Sequence, residues 1–146
     1  MASPFPHHYD VEVSSGGGSG NAILAGGLRP RIVGGPPPEF DGRAEWWSPE
    51  HLLLSAAGLC LMTTFQAFAT RAGLGVAGYE SRVEGTLDKT PTGLAFTSIR
   101  IAVDLHVAEA DRTRAEQLLQ SAKRHCIVAN ALKPVVEVQA VVSAPA

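Results

Sequence analysis

From Leu52 to Thr70 the chain carries no charged residue, and this run constrains the fold more than any other segment. It opens with Ser48-Pro49-Glu50 and gives way to Gly73 and Gly75. Ser48 suits the N-cap of a helix, and Pro49 suits the first helical position, where a missing N–H costs nothing. Glu50 complements the positive end of the helix dipole. The glycines predict a stop after about Arg71. Leu52, Leu53, Leu54, Leu59, Leu61, Met62, Phe65 and Phe68 surround the helix instead of lining one side, which predicts a helix buried on all faces. The run is also about long enough to cross a bilayer at ~1.5 Å per residue. Ser55, Thr63, Thr64 and Gln66 are spread along it, and amphipathic strands follow it. The expectation is therefore a central helix in a soluble protein, with no membrane span.

The rest of the chain supplies what such a helix packs against. Residues 1–8 read as a flexible tail, and residues 9–146 as a single domain of a size that suits one core. Tyr9–Val13 alternates as a strand, Ser14–Asn21 is a Gly/Ser turn, and Ala22–Leu28 is a second strand that Arg29–Val33 extends past Pro30. Gly34-Gly35-Pro36-Pro37-Pro38 is a loop within the domain. Tyr79–Leu87 and Ser98–Val107 alternate about the turn Lys89–Gly93, an antiparallel hairpin with one wet face. A second helix over about Glu109–His125 turns Ala115, Leu118, Leu119 and Ala122 inward. A short helix over Cys126–Leu132 and a last strand over Val135–Val142 complete the order. Strands and helices come in runs, so the class is α+β.

Composition narrows function by exclusion. A net charge of −2 does not draw a chain to nucleic acid, so no nucleic-acid partner is expected. The first residues lack a basic stretch followed by an apolar run, which makes the cytoplasm the expected location. There a permanent disulfide is disfavoured, and Cys60 and Cys126, the only 2 cysteines, read either as redox-active or as inert core thiols.

A thiol peroxidase needs a thiolate beside a crevice that admits a peroxide, and a second thiol to capture the sulfenic acid. Cys126 precedes the short helix, whose N–H groups lower a thiol pKa, and Arg124 and His125 add positive potential. Cys60 lies mid-helix among leucines, where desolvation opposes ionisation, so it needs a cation from elsewhere. Glu50 stands about 15 Å along the axis from Cys60 on a straight helix. Either the helix is broken, or a Glu50 that acts on Cys60 comes from a second subunit. Its bland reading is a dipole complement. Ser55-Ala56-Ala57-Gly58 would let a two-fold partner helix approach closely. His51 and His125 join the cysteines as zinc candidates without any metal-ligand spacing, so no metal and no cofactor is expected. Gly16–Gly20 lacks the Lys-Ser/Thr of a phosphate loop. Trp46-Trp47 suits the roof of an apolar pocket, or ordinary packing.

The block Ser48-Pro49-Glu50-His51-Leu52-Leu53-Leu54-Ser55-Ala56-Ala57-Gly58-Leu59-Cys60, followed by His125-Cys126-Ile127-Val128-Ala129-Asn130-Ala131-Leu132, resembles the OsmC/Ohr family of osmotically inducible and organic-hydroperoxide-resistance proteins. The resemblance runs from the first hairpin to the last strand. It implies an OsmC-like fold of antiparallel sheets with a long buried central helix, assembled as an intertwined homodimer with active sites at the subunit interface. It implies reduction of organic hydroperoxides, with Cys60 as peroxidatic and Cys126 as resolving cysteine, and with Glu50 on the family's glutamate. It also implies a dithiol reductant, of lipoyl type in the better-known branch. Peroxidase branches carry an activating arginine on the N-terminal hairpin, where this chain has Gly16–Gly20. Arg29, Arg31 and Arg43 are the candidate replacements, and Ile127 stands where many members have proline. The rival expectation is a non-enzymatic OsmC-like module that binds an apolar ligand or senses redox state.

Overall fold

The computed structural model describes residues 4–9, 11–15, 21–25 and 30–146. They form two compact units, Met1–Leu52 and Leu53–Ala146. In the first unit, β1 (Val11–Ser14), β2 (Asn21–Ala25) and β3 (Ile32–Gly34) make an antiparallel sheet in the order β1-β2-β3. The expected Gly/Ser turn at residues 16–20 and the end of the second strand at 26–28 lie outside the described residues. Ile32–Gly34 does not prolong β2, as its sequence suggested. It returns beside β2, with Ala22 opposite Val33. Pro30 has no N–H to give a ladder, so a continuous strand through it is disfavoured.

β3 runs directly into a second close approach. Gly35 N–H donates to the Trp47 carbonyl at 2.9 Å and Trp47 N–H to that of Val33 at 3.2 Å. A Cβ on Gly34 would lie 2.8 Å from the Trp47 oxygen, so only glycine lets the two backbones meet. The prolines between them form a single 3-10 turn, Pro38–Phe40, closed by Asp41 in the left-handed region at φ 60°.

Helix α1 covers Pro49–Arg71 without a break, as the caps predicted. The His51 N–H donates to Ser48 Oγ at 3.1 Å, and Ser48 is fully buried. At the other end Gly73, at φ 65°, donates to the Thr70 carbonyl at 3.1 Å, and Leu74 N–H donates to that of Ala69 at 2.9 Å. This is a Schellman closure, and its apolar partners Leu74 and Ala69 are both buried.

In the second unit, α1 meets the sheet of β4 (Val76–Thr90), β5 (Gly93–Val107) and β6 (Val136–Ser143), in that order. Tyr79 pairs with Leu105, Ser81 with Val103 and Val83 with Ile101, so the inward faces fall where the alternation placed them. Ile99, Ile101, Val103, Leu105 and Val107 are all buried, each worth roughly 1.5–3 kcal/mol of removal from water. β6 lies parallel to β5, so this sheet is mixed where an antiparallel one was expected. A parallel neighbour needs a long crossover, and α2 (Arg112–Arg124) and α3 (Ile127–Ala131) provide it, α2 packing on β6. Of α1, only the stripe Ala57, Gly58, Leu61, Phe65 and Ala69 is buried, while Leu59 is 58% exposed. Burial on all sides is thus not achieved by one chain. By length and composition α1 would also suffice to cross a membrane.

Candidate functional site

The second unit brings Cys60 and Cys126 together. Cys60 rides in the middle of α1, half-buried against the core. Two threonines beside it bond back into the helix, Thr64 Oγ1 donating to the Cys60 carbonyl at 2.7 Å and Thr63 Oγ1 to that of Leu59 at 2.9 Å. Cys126 reaches the same wall from the break between α2 and α3. His125 N–H ends α2 on the Ser121 and Ala122 carbonyls, and Asn130 Nδ2 bridges the break to the Arg124 carbonyl at 3.1 Å. Cys126 is then the N-cap of α3, almost wholly buried in the core cluster against which Cys60 packs, and near enough to the Cys60 thiol for that thiol to raise its pKa.

The electrostatics at Cys126 are a contest. Burial raises its pKa most, the Ala129 N–H lowers it, the Cys60 thiol raises it, and the Val128 N–H lowers it. The amides act as a helix N-terminus should. Burial and the neighbouring sulfur prevail, however, and the net direction is upward. Arg124 and His125 are engaged elsewhere: Arg124 Nη2 donates to Ser121 Oγ at 2.9 Å, and His125 Nδ1 lies 2.8 Å from the Ser121 carbonyl.

Tyr79, which sequence reasoning placed only on a strand face, belongs to the same neighbourhood. Its ring lies 5.7 Å from that of Phe65, and its hydroxyl is shielded without a hydrogen-bond partner. Burial first, and the Cys126 sulfur second, push its pKa up to about 12. A tyrosine on an inward strand face was the available signal, because a buried phenol ordinarily finds a partner.

Glu50 and the tryptophans belong to the first unit. An open cavity of about 510 Å³ is lined there by Val13, Ile23, Pro37, Phe40, Trp47 and Glu50, among others. Trp47 fits the apolar-pocket expectation, whereas Trp46 lies under the Arg43 guanidinium, 5.1 Å from its ring centre. Glu50 Oε2 is shielded and accepts no hydrogen bond from the described residues. Because α1 is unbroken, the broken-helix route from Glu50 to Cys60 is removed. Of the candidate arginines, Arg43 pairs with Glu45 at 3.5 Å, Arg31 is exposed, and Arg29 lies outside the described residues. Among the described residues, no three His, Cys, Asp or Glu side chains converge as metal ligands.

A mixed α+β frame that brings two free thiols to one core cluster defines a dithiol protein by architecture. The family model for OsmC-like protein matches residues 42–141, and the chain belongs to that family. It is 24% identical over 126 residues to the peroxiredoxin OsmC of Escherichia coli, covering 86% of each chain. In fold it is similar to an OsmC-like protein of unknown function from Vibrio cholerae, with TM-score 0.81, 15% identity and coverage of 93% and 100%. The organic hydroperoxide resistance protein OhrB of Bacillus subtilis follows at TM-score 0.65 and 18% identity, with coverage of 92% and 98%.

Proposed function

We propose that this protein is a cysteine-based peroxidase that reduces organic hydroperoxides, alkyl or lipid, with the electrons of a dithiol. The observation that carries the reading is the convergence of two thiols far apart in the chain on one core cluster, one half-exposed and the other buried. Cys60, the accessible one, attacks the terminal oxygen of ROOH. The O–O bond breaks, the alkoxide takes a proton and leaves as the alcohol, and Cys60 becomes a sulfenic acid. Cys126 then attacks that sulfur, water leaves, and a disulfide forms. Two exchange steps with an external dithiol, such as a lipoyl group, restore both thiols. A reducing cytoplasm would keep that dithiol supplied.

Leu59, exposed beside Cys60, and half-buried Met62 favour an alkyl substrate over hydrogen peroxide. The open face of α1 also suits a second copy of the chain, and a homodimer is part of the proposal. In it, Glu50 of the partner subunit orients a cation near Cys60, which accounts for a carboxylate oxygen left unpartnered in its own chain. The rival, a non-enzymatic module for an apolar ligand or for redox sensing, draws support from the cavity beside Trp47.

Consumption of cumene hydroperoxide with a dithiol separates the two. The Cys126→Ser variant should still form one sulfenic acid at Cys60, trapped by dimedone. Its turnover should fall roughly tenfold or more, because an oriented neighbour is replaced by a diffusing one. Turnover equal to wild type, with no sulfenic acid in either protein, would sink the peroxidase reading and leave the binding module.

A further inference from the structure

A buried donor that this chemistry leaves unused is the Tyr79 hydroxyl, whose residue packs with Cys60 against the core cluster that contains Cys126. β4 presents Tyr79 inward, opposite Leu105, and Phe65 of α1 holds the ring at 5.7 Å. The hydroxyl is out of water and has no hydrogen-bond partner among the described residues. A buried O–H left unsatisfied is costly, and a role in redox or catalytic chemistry is one recognised reason for a native protein to keep one. The resting sulfur pair contains no oxygen. The reaction puts one there.

The phenol is also fixed in its donor state. With a pKa near 12, raised by burial and then by the Cys126 sulfur, it stays protonated throughout the neutral range. Charge developing on Cys126 reinforces that protonation instead of removing it.

We propose that the Tyr79 hydroxyl is a positioning donor for disulfide formation, hydrogen-bonding the oxygen that a hydroperoxide leaves on Cys60. The inference rests on the peroxidase reading and names the step it serves. A lone pair of the Cys126 sulfur attacks the Cys60 sulfur, and the S–O bond breaks with its electron pair passing to oxygen. That oxygen keeps its own hydrogen, takes the proton of the Cys126 thiol, and departs as water. Cys126 is oxidised and the Cys60 sulfenic acid is reduced to the common disulfide level. Tyr79 ends as it began, having held the oxygen along the line of departure and supported its growing negative charge.

The test is Tyr79→Phe in the full chain, mixed rapidly with one equivalent of cumene hydroperoxide and quenched for mass analysis. Peroxide loss in the first turnover should match wild type. Disulfide formation should be about tenfold slower, the worth of one hydrogen bond to a developing charge. Cys60 sulfenic acid should accumulate, and excess peroxide should convert more of it to sulfinic acid. The melting temperature should hold or rise, since no hydrogen bond of the resting protein is lost. A fall in melting temperature with both steps slowed alike would make Tyr79 a packing residue and overturn the proposal. Disulfide formation at the wild-type rate would overturn it while leaving the peroxidase reading intact. If wild type itself neither consumes the hydroperoxide nor forms the disulfide, both fail together.

Discussion

Cys60→Ser should lower dithiol-dependent consumption of cumene hydroperoxide by roughly a thousandfold or more, the scale of loss when a nucleophile is deleted. Serine keeps the size and a hydroxyl, but at neutral pH it offers no thiolate to attack the O–O bond. The fold should survive, because Cys60 is half-buried on a continuous helix and its carbonyl, not its sulfur, carries the Thr64 hydrogen bond. Unchanged secondary structure with activity at the blank rate is the expected pair of results. Loss of activity with loss of helix would show only that the protein had unfolded. A Cys60→Ser protein as active as wild type would remove Cys60 from the chemistry.

Phe65→Ala should be the most damaging single truncation in the core, costing about 3–5 kcal/mol in urea unfolding. Phe65 is fully buried on the inner stripe of α1 and is the largest such side chain. Against a usual total of about 5–15 kcal/mol, that loss would leave the unit marginal. It would also release Tyr79, whose ring Phe65 supports. Leu59→Ala is the informative contrast. In a single chain an exposed leucine is worth within about 0.5 kcal/mol. A larger, concentration-dependent loss at Leu59 would report that a partner subunit covers it.

Features governed by neighbours in sequence were legible from the residues. Ser48-Pro49 set the start of α1, and Gly73 set its stop after Arg71, through cap chemistry that needs only a few consecutive residues. Alternation along Tyr79–Leu87 and Ile99–Val107 assigned inward faces, which the observed register preserves. Cys126 was placed at a helix N-terminus for the same local reason.

Features set by distant partners were not legible. Ile32–Gly34 could be read as a strand, but its return beside β2 depends on pairing across a loop. The parallel direction of β6 depends on the α2–α3 crossover, which a short alternating segment does not encode. Leucines all round α1 suggested complete burial, yet one chain covers a single stripe, because the sheet offers one face. At Cys126 the local amides do lower the pKa. Burial, a tertiary property, reverses the sign. The role of Tyr79 was not legible because its distinction, an unpartnered hydroxyl whose ionisation Cys126 opposes, exists only after folding.

The most direct measurement is non-reducing peptide mapping after the reduced protein meets one equivalent of cumene hydroperoxide. A single intrachain link is expected between the peptides carrying Cys60 and Cys126, formed with loss of two hydrogens and reversed by a dithiol. Recovery of both cysteines as free, alkylatable thiols while the hydroperoxide persists would contradict it.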